Sequence, residues 1–484
     1  MTVRVRFAPS PTGYLHVGAA RTAVYNWLFA RHGGGQFVLR SDDTDAERNE
    51  GRFAADIAEA LDWLGIEPDE GGNRGGPHAP YRQSERLDRY RFVVDGLLAA
   101  GRAYHDFATP EQLDEFRGEA AADGRSPVYD GRFRIDEAGT ARRLADGEAA
   151  PVRFAVPRPG STRFVDAVRG EMEFDHANVD DFVILRSDGS PTYHLASTVD
   201  DVDFEITHVV RGEDLLSSTP KHILLTEAMG AAEATYAHLS LLTGPDGKKL
   251  SKRHGDTAIR TFCDAGILPE TMFNYLAILG WAPGDDEEVV ARDLMVERFD
   301  LGSVSRNPAV LDTTKLEWMN GVYIRAMAQG DFAERVASLV ESDLGRRLQA
   351  EETKVLRELA PLVQERARTL LEVAPQVGFL FVDEPSYDEG SWSKVMMKVE
   401  AGDALRGAAA ALSDVNPWHA TQIEAALRGM LEETGLSARK GLQPIRVAVT
   451  GSAVSPPLFE SLQALGPERS LHRITTALSL IADR

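Results

Sequence analysis

The sequence predicts an α/β N-terminal part followed by an all-α C-terminal region. Valines alternate with arginines over residues 3–7, as in a short strand, and a proline- and glycine-containing break separates them from a helical pattern that begins at Gly18. A second strand pattern covers residues 36–40, and a second helical pattern covers residues 56–64. A strand–helix–strand–helix start is typical of a parallel, doubly wound sheet.

Later elements complete this prediction. Residues 182–185 and 206–211 form strand-like runs that we expect to return to the sheet. Between them and the first elements, the mixed and proline-interrupted stretch of residues 85–180 indicates an inserted α+β unit. After about residue 325 the periodicity becomes helical in one or two bundles. The predicted C-terminal helices cover residues 332–348, 353–373, 404–412, 420–433 and 455–465.

The composition of the 484 residues is that of a globular protein, with 43% hydrophobic and 26% charged residues. Cys263 is the only cysteine, which excludes an internal disulfide and a cysteine-built zinc site. No long apolar run or signal-peptide pattern occurs, so we expect a cytoplasmic protein without a membrane partner. The net charge of −22 argues against coating of nucleic acid by bulk positive charge, but it allows a local basic track.

The first segment suited to phosphate chemistry covers residues 9–19, between the first strand and the first helix. A helix N-terminus presents free N–H groups to an anion, Gly18 lets a nucleotide approach the backbone, and His16 can donate to phosphate oxygens. The segment matches neither a G-x-G-x-x-G nor a Walker loop. Taken alone, it is equally compatible with a plain strand-to-helix turn.

The second segment is a basic loop at residues 247–253. Lys248, Lys249, Lys252 and Arg253 fall within six positions, and three of the nine lysines of the chain are among them. Flexible lysines suit a loop that closes over a polyphosphate while charge moves. Alone, this loop is equally compatible with a solvated basic loop.

Together the two segments resemble the signature motifs of class I aminoacyl-tRNA synthetases. Residues 16–19 are similar to the HIGH motif, and residues 249–253 are similar to the KMSKS motif. The surrounding sequence resembles the bacterial-type glutamyl-tRNA synthetases over essentially the whole chain. The matching segments, in order, are residues 7–13, 43–45, 81–84, 192–195, 199–201, 211–214 and 444–446.

This resemblance implies a domain organisation. A Rossmann-like catalytic domain is expected at residues 1–84 and 191–240, interrupted at residues 85–190 by an insert that binds the tRNA acceptor stem. A connecting domain at residues 241–325 carries the lysine loop and contacts the stem. A helical anticodon-binding region, in one or two sub-bundles, covers residues 326–484.

The resemblance also implies a reaction: ATP-dependent ligation of L-glutamate to tRNA-Glu through a glutamyl-adenylate, with release of AMP and pyrophosphate. Mg²⁺ is expected to assist, and zinc is not expected because the cysteines that some relatives use are missing. The residues that stabilise phosphate charge are His16, Lys249 and Lys252. Further nucleotide contacts are expected from Gly18, Asp214 and Leu242.

The glutamate pocket follows from the same resemblance. Arg6 and Arg211 match the carboxylate-binding arginines, and the resemblance does not assign the side-chain carboxylate to one of the two. Other residues of the pocket are Ala8, Ser10, Tyr193 and Ser197. Asp42 stands where the family usually has glutamate holding the substrate ammonium group. Its side chain is one methylene shorter, so a bridging water is an alternative to direct contact.

One position bears on the choice of tRNA. Family members restricted to tRNA-Glu tend to carry arginine on an anticodon-domain helix, and those that also charge tRNA-Gln tend to carry glutamine. The alignment places Gln364 there, with Arg366 as the alternative counterpart. An amide offers both a donor and an acceptor, which predicts charging of both tRNAs.

Two other functions compete with this prediction. A glutaminyl-tRNA synthetase resembles the same N-terminal half, but it ends in β-barrels, whereas this chain ends in predicted helices. A non-catalytic tRNA-binding paralogue is disfavoured because both signature motifs are intact. We expect the active form to be a monomer.

Overall fold

The computed structural model divides the chain into two compact units. The first comprises Met1–Phe262 with Met272–Asp312, and the second comprises Cys263–Thr271 with Thr313–Arg484. The residues that the structure describes are 2–44, 51–250, 256–284 and 287–482. Within these ranges, no helix is both long enough and apolar enough to span a membrane.

The first unit contains the strands. They are β1 (Arg4–Phe7), β2 (Gln36–Leu39), β3 (Glu70–Gly71), β4 (Ala103–His105), β5 (Val152–Phe154), β6 (Ser161–Asp166), β7 (Gly170–Asp175), β8 (Val183–Leu185), β9 (His208–Gly212), β10 (Thr235–Leu239), β11 (Leu242–Thr243) and β12 (Ala309–Val310). The helices up to residue 312 are α1 (Val17–His32), α2 (Gly51–Trp63), α3 (Leu87–Ala99), α4 (Pro110–Ala122), α5 (Glu137–Ala145), α6 (Tyr193–Asp203), α7 (Thr219–Ala228), α8 (Ile259–Asp264), α9 (Pro269–Ile278) and α10 (Arg292–Arg298).

Parallel pairing dominates the central strands, which confirms the predicted α/β class. β1 pairs with β2 and β2 with β3, while β9, β10 and β6 pair side by side, also in parallel. The N–H of Thr207 donates to the carbonyl of Arg4 at 2.9 Å, so the ends of β1 and β9 lie together. Val5, Val38 and Val210 are buried in these strands, next to arginines in β1 and beside Arg211 in β9.

The sheet predicted for the strand at residues 182–185 is wrong. The run at residues 182–185 does form a strand, β8, but β8 pairs antiparallel with β5 in a separate three-stranded sheet with β4. Its residue Ile184 is buried in a cluster with Phe154 and Val94, which explains why an apolar run alone did not reveal the sheet it joins. The run at 206–211 does pair in the parallel sheet, as β9.

The second unit is helical, as predicted. From residue 313 its helices are α11 (Thr313–Ala326), α12 (Gln329–Leu344), α13 (Ala350–Leu359), α14 (Pro361–Gln364), α15 (Ala374–Val377), α16 (Glu389–Ser391), α17 (Val399–Ser413), α18 (Ala420–Thr434), α19 (Ala438–Thr450), α20 (Leu458–Leu465) and α21 (Pro467–Ala482). Two hydrophobic clusters form its interior, one centred on Phe332 and Val363 and one on Leu405 and Ile445.

Three details of the helical prediction are wrong. The single helix expected at residues 353–373 ends at Leu359, and Pro361 starts α14, because proline lacks the N–H that a continuing helix needs. The helix α19 was missed because Gly441 and Pro444 resemble helix breakers. A Cβ at position 441 would lie 2.1 Å from Leu431 Cδ2, so a larger residue there would require that side chain to move. The helix α21 was missed as well.

Candidate active site

A cavity of about 1130 Å³ opens beside the carboxyl ends of β1, β2 and β9. Ligands of open α/β sheets bind at this edge, where the strands end and are followed by loops and helix N-termini. The cavity is lined by every candidate site residue of the first unit that the structure describes. These are Arg6, Ala8, Ser10, His16, Gly18, Asp42, Tyr193, Ser197, Arg211, Asp214, Leu242 and Lys249. Lys252 lies outside the described residues.

His16 is the N-cap of α1, at the entrance to the cavity. Its Nδ1 accepts the N–H of Ala19 at 3.2 Å, so the proton of the neutral ring resides on Nε2. Nε2–H therefore remains available to an anion at the positive end of the helix. A Cβ at Gly18 would lie 3.2 Å from the imidazole ring. The absence of a side chain at Gly18 therefore also leaves room for this ring.

The lysine loop is anchored along the same wall. The N–H of Leu250 donates to the carbonyl of Leu242 at 3.2 Å, and Thr243 and Lys249 form an antiparallel bridge. On the far side of the loop, the N–H of Val17 donates to the carbonyl of Thr257 at 3.0 Å. These contacts hold the exposed Lys249 at the cavity on the side occupied by the His16 segment.

Arg6 projects from β1 into the floor of the cavity and is 4% exposed. Its Nε and Nη2 donate to the carboxylate of Asp201 at 3.0 and 3.3 Å. Nη1 makes no hydrogen bond to any residue within the described ranges. Arg6 is therefore held on one side by Asp201, and its Nη1 donors are available to a ligand carboxylate.

Asp42 lies beside this floor, paired with a buried arginine. Its Oδ1 accepts from Arg40 Nε at 2.6 Å, and its Oδ2 accepts from Arg40 Nη2 at 3.2 Å. Arg40 also donates to Asp201 at 2.6 Å and to the hydroxyl of Ser197 at 3.1 Å. Burial raises the pKa of Asp42 to about 6, against the opposing effect of Arg40. A carboxylate has about four acceptor sites, so this pairing leaves Asp42 able to accept from an ammonium group.

Arg211 projects from β9 with all its N–H groups directed at neighbours. Nη1 donates to the hydroxyl of Tyr193 at 3.2 Å, and Nη2 donates to Thr219 Oγ1 at 2.9 Å. Nε donates to His238 Nε2 at 3.1 Å. Arg211 therefore contributes a fixed positive charge, and Tyr193 is the partner that also lines the cavity.

Two neutral histidines lie behind these residues. Nδ1 of His194 lies 3.3 Å from Nε2 of His222, on α6 and α7. Burial lowers the pKa of His194 to about 4 and lowers the pKa of His222 well below its ordinary value. At neutral pH the positive charge of the cavity floor therefore comes from Arg6 and Arg211.

Gln364 lies in the second unit, at the end of α14, and is 6% exposed. Its amide group donates to the carbonyls of Ile324 and Met327, both at 2.8 Å. These contacts satisfy carbonyl groups at the C-terminus of α11. Arg366, two residues further on, is exposed.

In the described part of the chain, no group of three or more His, Cys, Asp or Glu residues is arranged to hold a metal ion. Three described carboxylates line the cavity: Asp42 is paired with Arg40, Asp256 accepts the N–H of Ala258 at 3.0 Å, and Asp214 is exposed.

Sequence reasoning missed the residues that orient the floor of the cavity. Arg40 and Asp201 hold Asp42 and Arg6, and His238 contacts Arg211. A charged residue directly after a buried strand, as Arg40 is, was the available signal for the first of these. The strand register that places His238 beside Arg211 has no signal in the sequence.

Comparisons with known proteins agree with this geometry. The family of class I tRNA synthetases (E and Q), catalytic domain, matches residues 2–318, and an anticodon-binding domain family matches residues 331–478. A glutamate–tRNA ligase from Dehalococcoides mccartyi is 44% identical over 99% of both chains, and one from Rubrobacter xylanophilus is 43% identical over 98% of this chain and 97% of its own.

Solved structures give the same result. The crystal structure of a glutamate tRNA ligase from Elizabethkingia meningosepticum, in complex with its amino acid, superposes with a TM-score of 0.86 at 34% identity, over 99% of this chain and 100% of that one. A glutamate-tRNA synthetase from Elizabethkingia anophelis superposes with a TM-score of 0.81 over the same shares. The chain therefore belongs to the class I aminoacyl-tRNA synthetases, in the glutamyl-tRNA synthetase family.

Proposed function

We propose that this enzyme ligates L-glutamate to tRNA-Glu through a glutamyl-adenylate formed from ATP. One observation carries the proposal: a single cavity combines a phosphate-binding side, at His16 and Lys249, with a carboxylate-binding floor, at Arg6 and Arg211. An amino acid with two carboxylates and a nucleotide triphosphate are the ligands that these two sides suit.

In the first step, the α-carboxylate of glutamate attacks the α-phosphorus of ATP. A carboxylate-oxygen-to-phosphorus bond forms, and the bond to the bridging oxygen breaks, so pyrophosphate leaves with the electron pair. The protein supplies alignment and charge stabilisation rather than an acid or base. The phosphate oxygens accept a hydrogen bond from His16 Nε2–H. The ammonium groups of Lys249 and Lys252, in the same loop, stabilise their negative charge. Mg²⁺ carried by ATP supplies further positive charge to them.

In the second step, the 2′-hydroxyl of the terminal tRNA ribose attacks the carbonyl carbon of the adenylate. The ester forms, AMP leaves, and the hydroxyl proton is released. The insert at residues 85–190 and the helical region at residues 326–484 are the parts proposed to bind the acceptor stem and the anticodon, with residues 241–325 between them.

The floor of the cavity favours glutamate over glutamine. Charge-assisted hydrogen bonds are about twice as strong as neutral ones, and Arg6 offers charged donors at Nη1, while Arg211 adds a fixed positive charge. Asp42 provides the countercharge for the ammonium group, with the raised pKa that its burial causes.

Charging of tRNA-Gln by the same enzyme stays a prediction. Both hydrogen bonds of the Gln364 amide nitrogen go to carbonyls of the same unit, so contact with a base would have to use Oε1. The exposed Arg366 is the better-placed residue for that contact.

ATP–pyrophosphate exchange tests the proposal. We expect exchange that depends on glutamate and on bound tRNA, with little exchange in the presence of glutamine. Absence of exchange with either amino acid, with or without tRNA, would contradict the enzyme assignment. Exchange with glutamine alone would identify the competing glutaminyl specificity.

A further inference from the structure

The strand register brings a buried histidine against Arg211. Arg211 of β9 and His238 of β10 are direct partners in the parallel sheet, so their side chains leave the same face side by side. Arg211 Nε–H donates to His238 Nε2 at 3.1 Å. Thr219 contacts both, accepting from Arg211 Nη2 at 2.9 Å and lying 3.1 Å from His238 Nε2.

Asp166 fixes the tautomer of this histidine. His238 Nδ1 lies 2.5 Å from Asp166 Oδ2, and both side chains are fully buried. An ionised carboxylate only accepts, so the Nδ1 atom of His238 carries the proton and Nε2 is a bare acceptor facing Arg211. Burial lowers the pKa of His238, in keeping with a neutral ring.

The carboxylate is itself fixed in orientation. Its Oδ1 accepts the backbone N–H groups of Val168 at 2.9 Å, Arg169 at 2.8 Å and His238 at 3.2 Å. Burial opposes ionisation, but hydrogen bonds from His238 and Arg169 hold the pKa of Asp166 below its usual value. Oδ2 is therefore committed to the imidazole.

We propose that Asp166 and His238 form a positioning pair that aims the Arg211 guanidinium into the glutamate pocket. The proposal rests on the proposed glutamate-binding role of Arg211. Neither residue lines the cavity, so neither is a catalytic residue. The pair presents an acceptor to Arg211 Nε and thereby sets the plane of the guanidinium, which fixes where its positive charge and the Tyr193 hydroxyl that it holds face the ligand.

Asp166→Asn tests the pair with almost no change in shape. The amide oxygen must take the place of Oδ1, because three N–H groups point there, so the amide nitrogen faces His238 Nδ1. Because that nitrogen donates, His238 Nδ1 must accept, and the ring proton moves to Nε2. The Nε2–H of His238 then faces the Nε–H of Arg211, so two donors oppose each other. We expect the glutamate KM in aminoacylation to rise about 10- to 100-fold, by analogy with the loss seen when a residue that orients a metal ligand is removed. The ATP KM and the kcat at saturating glutamate should stay within about twofold.

The matched control is Asp181→Asn. Asp181 is also a buried carboxylate of the first unit, bonded to Arg158, Tyr104 and the N–H of Val156, and it does not line the cavity. This variant should leave the glutamate KM unchanged. Nitrogen-15 NMR of labelled histidine should show His238 as the Nδ1–H tautomer in the parent and as the Nε2–H tautomer in Asp166→Asn, a signature that a merely structural role would not produce.

Two further variants separate the possible failures. Arg211→Lys should raise the glutamate KM, and adding Asp166→Asn to it should have little further effect. An unchanged KM in Arg211→Lys would overturn the proposed role of Arg211 itself. A raised KM there together with a parental KM in Asp166→Asn would overturn only the positioning pair. Where Asp166→Asn does not fold, His238→Phe replaces the acceptor with a ring of similar size, and the same rise in glutamate KM is expected.

Discussion

Replacing Asp42 by asparagine removes one negative charge from the floor of the cavity. Asp42 accepts two hydrogen bonds from Arg40, whose side chain is fully buried. Asparagine can still accept from Arg40 Nε, but its amide nitrogen then faces a donor at Nη2. The substitution therefore weakens the buried pair and removes the proposed countercharge for the substrate ammonium group.

The expected size follows from these contacts. A hydrogen bond to a charged group contributes about 1.5–3 kcal/mol, and about 1.4 kcal/mol corresponds to a tenfold change in affinity. We therefore expect the glutamate KM to rise about 10- to 150-fold in Asp42→Asn. The ATP KM should change little, because Asp42 lies at the end of the cavity proposed to hold the amino acid, where Arg40 joins it to Ser197.

The pH dependence gives a second measure of the same residue. Because burial raises the pKa of Asp42 to about 6, its carboxylate is charged above that pH and becomes neutral as the pH falls through it. The parental glutamate KM should be nearly constant above about pH 7 and rise below pH 6. In Asp42→Asn that inflection should be absent.

Steady-state aminoacylation at several pH values makes both measurements, with Asp43→Asn as the control. Asp43 accepts from the N–H and the hydroxyl of Ser84, both at 2.8 Å, and does not line the cavity. A parental glutamate KM in Asp42→Asn, or a raised one in Asp43→Asn alone, would refute the assignment of Asp42 to the ammonium group.

Three further predictions follow. Lys249→Ala and Lys252→Ala should each slow adenylate formation about 100- to 1000-fold with little change in glutamate KM. The neighbouring Lys248→Ala should leave the rate of adenylate formation unchanged. An unchanged pre-steady-state rate in Lys249→Ala and Lys252→Ala would contradict the role of the loop. Gln364→Ala should lower the urea midpoint of unfolding, because it leaves the Met327 carbonyl without its Gln364 donor at about 1–3 kcal/mol, while the Ile324 carbonyl still accepts the N–H of Met327. An unchanged midpoint would argue against that role. Arg366→Ala should leave stability within about 0.5 kcal/mol but change the ratio of tRNA-Glu to tRNA-Gln charging, and a constant ratio would exclude it.

Local patterns were sufficient to predict the elements that hold the first half of the site. The strand at residues 3–7, the turn before Gly18 and the helix after it are each encoded by contiguous residues, and the structure places His16 at the helix N-terminus. Motif resemblance supplied the rest of the cavity lining. Both sources depend on residues close together in the chain or on positions shared with relatives.

What could not be predicted depends on contacts between distant residues. The salt bridge of Arg6 with Asp201 joins positions 195 residues apart, and the contact of Arg40 with the same carboxylate joins positions 161 apart. The partner of β8 and the close approach of Gly441 to Leu431 have the same origin. Such choices are set by sheet register and side-chain packing, which local periodicity does not record.

Charging of purified tRNA-Glu and tRNA-Gln with radiolabelled glutamate, beside parallel reactions with glutamine, tests the central claim most directly. We expect glutamyl-tRNA-Glu formation that requires ATP and no comparable transfer of glutamine. Transfer of glutamine in preference to glutamate, or transfer of neither amino acid by a folded enzyme, would contradict the assignment of the cavity to glutamate activation.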